Sequence, residues 1–467
     1  MNVNNPNNPN NISNLNEDTP IARDIVDRVI RNLKISSVGK ASIREIKKLV
    51  NNIEKESNLN FIRMEMGVPS ILPPQIAVDA EIEAIKKGVA GVYPEIDGLP
   101  ELKKEISRFV KLFVGVDVSE ESCIPTVGSM LGGFCSFMVS GRIREKSDTV
   151  LFIDPSFPLH KMMVKMLGFK SERFDIYDFR GEKLREKLES ILQKGNISSI
   201  IYSNPNNPSW VCFTEDELKI IGELATKYDV VVLEDLAYFA MDFRKDLSVP
   251  GKPPYQATVA RYTQNYILLI SSSKAFSYAG QRVGMMAISN KLFSREFEGL
   301  ANYFPTKYFG HSIIYGAIYG TTAGVGHSAQ YGLLAVLKEV NEGRYNFVEV
   351  VREYGERARI LKEMFIRNGF KIVYDMDGDQ PIADGFYFTL SYPGYGGEQL
   401  LAELLYYGIS AIALSTTGSE RTEGLRACVS MVKREQFPSL EERLKKFHQN
   451  NQNNQNNQNN QSKKVKV

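Results

Sequence analysis

The stretch Tyr266–Gly284 reads YILLISSSKAFSYAGQRVG. Its opening run, Tyr266 to Ile270, is continuously apolar, as a strand buried on both faces of a sheet must be. The run gives way to three serines and Lys274, so the strand would carry a primary amine to the edge of a buried sheet. Desolvation there favours the neutral amine, which can attack a carbonyl. Arg282, eight residues further on, suits an anionic group on the same ligand. A lone lysine in a Ser-rich turn is ordinary in a chain with 57 Lys plus Arg. What matters is whether the rest of a site accompanies it.

An imine-forming lysine beside a phosphate-binding arginine suggests pyridoxal 5′-phosphate, and such a site needs four further parts. The ring nitrogen needs a carboxylate to keep it protonated; Asp235 follows the apolar run VVVLE at a strand end. The ring hydroxyl oxygen needs hydrogen-bond donors, for which Tyr238, three residues past Asp235, and Asn207 in SNPNNPSW are the candidates. The phosphate needs a cup. In VGSMLGG, Val127 to Gly133, a short strand ends and a helical pattern opens. The first backbone N–H groups of a helix favour an anion; Ser129 and Met130 would supply them, with Ser271 and Arg282 adding side-chain donors. The ring face needs a flat neighbour, and Phe157 in DPSFPLH is suitable. Each motif alone is a common turn or core residue.

Around these motifs, apolar runs near 149, 198, 229 and 266 alternate with helical patterns such as Thr214–Tyr228, where Thr214 and Glu217 form a capping box. Such alternation predicts an α/β fold: a three-layer large domain with a mostly parallel sheet between helices. Sites in such sheets form where strands end, and all the candidates lie at these junctions. Past residue 330 a long helical stretch, then FKIVYD, GFYFTL and GLRACVS as strands, predicts a smaller α+β domain. The expected divisions are an N-terminal helical segment over 19–62 joining the small domain, a large domain over 63–330, and the small domain over 331–448. Thr19-Pro20 reads as an N-cap and first helical residue, a second helix is expected from Ser42 to Glu56, and FIRMEM (61–66) reads as a strand. The Asn-rich start, 1–18, and the NNQ repeats with a basic end, 449–467, are expected to be disordered, because polar tracts bury too little to offset ordering entropy.

The 467-residue length indicates more than one domain. With 43% hydrophobic and 24% charged residues and a net charge of +2, composition is ordinary and gives no pull toward nucleic acid or membrane. Four cysteines without CxxC spacing read as reduced thiols of a cytoplasmic protein, and four scattered histidines argue against a metal site. No leader peptide or membrane span is expected.

Together these motifs resemble the fold-type I pyridoxal-phosphate enzymes, and among them the class I/II aminotransferases of the aspartate aminotransferase superfamily. SSSKAFSYAGQRVG is similar to the family's S-x-S-K…R-x-G, NPNNP to NPxNP and EDLAY to D-x-x-Y. The resemblance implies an aminotransferase moving an amino group between an L-amino acid and a 2-oxo acid, with Lys274 as covalent anchor and general base. It implies further roles: Tyr93 reaching a neighbouring subunit's phosphate in a homodimer with shared sites, His160 orienting Asp235, Gly67 in the segment covering the substrate, and Arg426 gripping the substrate carboxylate. It also implies cis bonds at Asp154–Pro155 and Asn207–Pro208. The chain departs from the family where NPTG becomes NPSW, placing Ser209 and the sole tryptophan, Trp210, at Thr-Gly. Residues 301–343, a region that gives dicarboxylate-specific relatives an arginine, contain only Lys307 and Lys338 as Lys or Arg. β- or γ-elimination and racemisation on the same scaffold, and a non-catalytic cofactor-binding regulator, are the alternative readings.

Overall fold

The structure, a computed structural model, describes residues 18–464, with side chains to residue 453. A short strand, β1 (Ile62–Arg63), precedes the strands of the main sheet. These are β2 (Cys123–Thr126), β3 (Thr149–Asp154), β4 (Lys170–Asp175), β5 (Ile197–Ser203), β6 (Val231–Leu236), β7 (Tyr266–Ser271) and β8 (Gly284–Ile288), in the order β2-β8-β7-β6-β5-β3-β4. β8 runs against β7 and β2; all other neighbours are parallel.

Period-two alternation divides these strands between two cores. Val150, Phe152, Val231, Leu233, Ile267 and Leu269 pack with Cys135 and Phe137 of the helix Gly128–Ser140. Leu151, Ile153, Val232, Leu268 and Ile270 face the other way, into the core shared with Leu188 of Glu182–Leu192 and Leu218 of Glu215–Lys227. Apolar runs without polar alternation are what a sheet covered on both sides requires.

The remaining strands are β9 (Lys371–Ile372), β10 (Met376–Asp377), β11 (Gln380–Pro381), β12 (Tyr387–Ser391), β13 (Ile409–Ser410), β14 (Ile412–Ala413) and β15 (Leu425–Cys428). Four of them form an antiparallel sheet, β14-β15-β12-β9, which pairs Thr389 with Arg426 and Tyr387 with Cys428. β1 pairs with β13 in parallel, so of FIRMEM only Ile62 and Arg63 are strand. Asp377 in the β10–β11 hairpin takes Arg180 at 2.9 Å and Arg244 at 2.8 Å, fastening the hairpin to the main-sheet side.

Several local expectations are met. Ser42 and Glu45 cap the helix Ile43–Ser57 reciprocally, and Thr214 and Glu217 do the same for Glu215–Lys227. Asp154–Pro155 and Asn207–Pro208 are cis, as are Asn204–Pro205 and Pro253–Pro254. Others differ. The first helix is Arg23–Asn32 with Ala22 before it, and Thr19 donates to the Ile21 carbonyl instead of capping. The helical stretch past 330 is two helices, His327–Asn341 and Phe347–Arg367. Disorder was expected from 449, but the last helix, Phe437–Lys464, continues through the repeat. Asn450 donates to the Tyr407 hydroxyl (3.0 Å), and Asn451 accepts from Tyr395 (2.6 Å), polar contacts that composition does not reveal. The Asn-rich arm, residues 1–17, lies outside the described residues.

Candidate active site

The C-terminal ends of β6 and β7, the turn after β5 and the start of Gly128–Ser140 surround a cavity of about 320 Å³. Ligand sites in open α/β sheets form at such an edge. Eleven of the thirteen residues singled out from sequence line it. Lys274, Asp235, Tyr238, Asn207 and Phe157 are there, with Ser129, Met130, Ser271 and Arg282 on the anion side and Gly67 and Arg426 opposite. Two are elsewhere. Tyr93 is 95% exposed on the surface. His160 is buried edge-on against Phe157, with ring centroids 5.7 Å apart, and among the described residues no hydrogen bond joins it to Asp235. Burial lowers its pKa to about 4.

Lys274 sits in a single helical turn, Ser272–Ala275, immediately after β7. Ser271 fixes that turn by accepting the Ser273 N–H at 3.2 Å, which leaves its own hydroxyl proton free. The Lys274 amine lies 5.9 Å from the centre of the Tyr238 ring. Burial lowers its pKa and the Asp235 carboxylate partly opposes this, while Arg282 and Arg426 add to the lowering. A depressed lysine is the nucleophile a carbonyl ligand needs.

Asp235 is buried, and burial raises its pKa to about 7 against the opposing pull of Lys274. Its Oδ1 has no hydrogen-bond partner among the described residues, a costly state that a protonated ring nitrogen would relieve. The helix Gly128–Ser140 begins without a side-chain cap, so its first N–H groups face the cavity end open to an anion. Gly128 has φ +64°, and a Cβ there would meet Arg282 Nη2 at 2.4 Å; the arginine needs that glycine to lie over the helix start. These are the features that pyridoxal 5′-phosphate requires of its protein.

On the opposite wall Arg426, from β15, is fully buried. One guanidinium nitrogen, Nη2, donates to the Glu65 carbonyl, Nε has no partner among the described residues, and the guanidinium carbon lies 4.8 Å from the Tyr387 ring centre. A carboxylate can occupy this unsatisfied edge.

A family model described as aminotransferase class I and II matches residues 60–444. The chain belongs to the aminotransferase class I and II family. It is a pyridoxal-phosphate-dependent aminotransferase of fold type I. The probable aspartate aminotransferase of Methanocaldococcus jannaschii is 26% identical over 345 residues, covering 74% of this chain and 80% of that one. The LL-diaminopimelate aminotransferase of Natranaerobius thermophilus is 24% identical over 355 residues, covering 72% and 82%. Among solved structures, aspartate aminotransferase from Thermotoga maritima superposes with a TM-score of 0.70 at 18% identity, over 90% of this chain and 98% of that one. Alanine aminotransferase from Pyrococcus furiosus gives 0.68 at 20%, over 89% and 98%. At these identities the structural likeness speaks for the fold.

Sequence reasoning missed Tyr387, Ile43, Met66 and Val68, all of which line the cavity. Tyr387 stood inside the GFYFTL strand pattern, where a tyrosine between phenylalanines reads as core. Ile43 is the first residue of its helix, and nothing local marks it.

Glu234, next to Asp235 on β6, is also fully buried, and burial raises its pKa to about 7 despite bonds from Thr258 and Tyr202. A carboxyl whose folded pKa exceeds its unfolded one holds extra protons when folded. Stability therefore falls as pH climbs from the unfolded value toward 7. His160 acts oppositely below its own unfolded value, so a mutant comparison is needed to isolate Glu234. Glu234→Gln is expected to gain on the wild type between pH 5 and pH 8, by at most about 3 kcal/mol. Urea unfolding of both cofactor-free proteins at the two pH values measures it; a constant gap contradicts it.

Proposed function

We propose that this aminotransferase moves an amino group from an L-amino acid with an apolar or aromatic side chain to a 2-oxo acid, as a homodimer. The observation that carries the reading is the opposition, across one cavity, of the depressed Lys274 amine and the unsatisfied Arg426 edge. Bound in the cavity, pyridoxal phosphate supplies an aldehyde that takes up the amino group and a ring that accepts electrons. Lys274 anchors it and moves a proton at the substrate α-carbon. Asp235 keeps the ring nitrogen protonated. Tyr238 and Asn207 would donate to the ring oxygen, and Phe157 would supply a flat neighbour for the ring. Ser129, Met130, Ser271 and Arg282 hold the phosphate. Arg426 takes the substrate carboxylate, with Gly67 in the segment above it.

The side-chain end of the cavity supports the apolar assignment. Among the described residues Lys274, Arg282 and Arg426 are the only cationic ones lining it, and Ile43, Met66 and Val68 add apolar wall. Lys307 is held by Glu296 at 2.7 Å and Glu298 at 3.2 Å. Among the described residues a distal carboxylate therefore meets no free cation there. The homodimer reading draws support from Leu72, Val92 and Tyr93, which are 84%, 62% and 95% exposed, large apolar side chains that subunit contact would cover. In that dimer Tyr93 reaches the partner's phosphate.

The test is a half-reaction. Purified, cofactor-loaded enzyme is mixed with single amino acids while the visible band and the released acid are followed. Leucine or phenylalanine is expected to convert the band to the pyridoxamine form with kcat/KM at least about tenfold above aspartate, the order of one desolvated charge left unpaired. Faster conversion by aspartate would overturn the side-chain assignment. Release of ammonia, or loss of optical activity without an oxo acid, would instead favour elimination or racemisation.

A further inference from the structure

We propose that Tyr387 is a positioning residue of this site, coupling the arginine that receives the substrate carboxylate to the phenol that faces the cofactor's ring oxygen. It rests on the assignments of Arg426 and Tyr238 above. Tyr387 begins β12, is 3% exposed and belongs to the cavity wall. Its hydroxyl accepts a hydrogen bond from the Tyr238 hydroxyl at 2.8 Å. The face of the same ring carries the Arg426 guanidinium, 4.8 Å from its centre. The hydroxyl also lies against the backbone of Gly67, where a Cβ would fall 2.0 Å from it. One side chain thus touches the carboxylate receptor, the covering segment and the cofactor-facing phenol.

Its placement is enforced from behind. Trp210 packs on Tyr238 and Tyr387 with centroids 5.3 and 6.2 Å away. The indole fills the space above Gly385, where a Cβ would meet it at 1.9 Å. The bulk at Trp210 and the lack of it at Gly385 are complementary, and together they wedge the Asn207 loop against the root of β12.

The two hydroxyls form a relay with a defined sense. A ring oxygen bearing negative charge accepts more strongly than a neutral phenol. Next to it the Tyr238 proton turns to the cofactor, and Tyr387 becomes the donor to Tyr238. That donation polarises Tyr238 and strengthens its bond to the ring oxygen. Tyr387 therefore favours the deprotonated cofactor while its ring, through cation–π attraction, holds Arg426 in register.

Tyr387→Phe keeps the ring and removes the relay; Tyr387→Leu removes both. The readout is the pH midpoint of the visible absorbance of the loaded enzyme, with KM for the amino donor measured alongside. Tyr387→Phe is expected to raise the midpoint by about half to one pH unit and to leave KM within about twofold. Tyr387→Leu is expected to raise KM about fivefold as well. An unchanged or lowered midpoint in Tyr387→Phe overturns the relay. Tyr238→Phe is the control. If it shifts the midpoint and Tyr387→Phe does not, the assignment of Tyr238 stands and the coupling falls. If neither shifts, the assignment of Tyr238 falls and the coupling with it.

Discussion

Lys274→Ala is expected to lower turnover by about a thousandfold or more, the effect of losing both a nucleophilic amine and a positioned proton carrier. The surroundings offer no substitute. Among the described residues Arg282 and Arg426 are the other cations on the cavity wall, and guanidinium groups do not deprotonate near neutral pH. Lys274 is set by a one-turn helix at the end of β7, and Ser271 pins that turn, so alanine should remove the amine without disturbing the strand. Single-turnover mixing with the best amino donor provides the measurement. Retention of a tenth of the wild-type rate would remove Lys274 from the mechanism.

Arg426→Lys is expected to reduce kcat/KM for amino acids about a hundredfold, chiefly through KM. Charge is conserved in this exchange, so the loss measures geometry. The arginine donates Nη2 to the Glu65 carbonyl and sets its guanidinium carbon 4.8 Å from the Tyr387 ring centre, and Nε has no partner among the described residues. A carboxylate meets a planar fork already oriented, whereas an ammonium presents a point charge with neither fork nor stacking face. Charge-assisted hydrogen bonds contribute about 1.5–3 kcal/mol each, and a hundredfold change is about 2.7 kcal/mol. The strand pairing of position 426 with Thr389 and Ile412 is backbone and survives the change. Steady-state kinetics with an amine lacking the α-carboxylate supplies the contrast, since its rate should barely move. A loss under threefold with amino acids would place the carboxylate elsewhere.

The chemistry was legible where a strand end and its turn are contiguous. Tyr266–Arg282 brings Lys274 and Arg282 to the cavity wall within one stretch, and the apolar run before Asp235 announces its strand. Such signals are local, because burial on both faces and the need for donors at a loop leave their mark within a few residues. What escaped lies in contacts between distant segments. Ile43 and Tyr387 are far from Lys274 in sequence, yet they line its cavity. No periodicity distinguishes a cavity tyrosine from a core one. The assignment of His160 came by resemblance, and here its ring packs on Phe157, with no bond to Asp235 among the described residues. The helix through the NNQ repeat was misjudged for a similar reason: Tyr395 and Tyr407 supply tertiary hydrogen bonds that offset a poor composition.

Trp210 is the only tryptophan in the chain, wholly buried and edge-on to Tyr238 and Tyr387. The intrinsic emission of this protein under indole-selective excitation is therefore the voice of one wall of the cavity. A fluorimeter trained on the unlabelled enzyme hears that wall alone, free of the averaging that several indoles would impose.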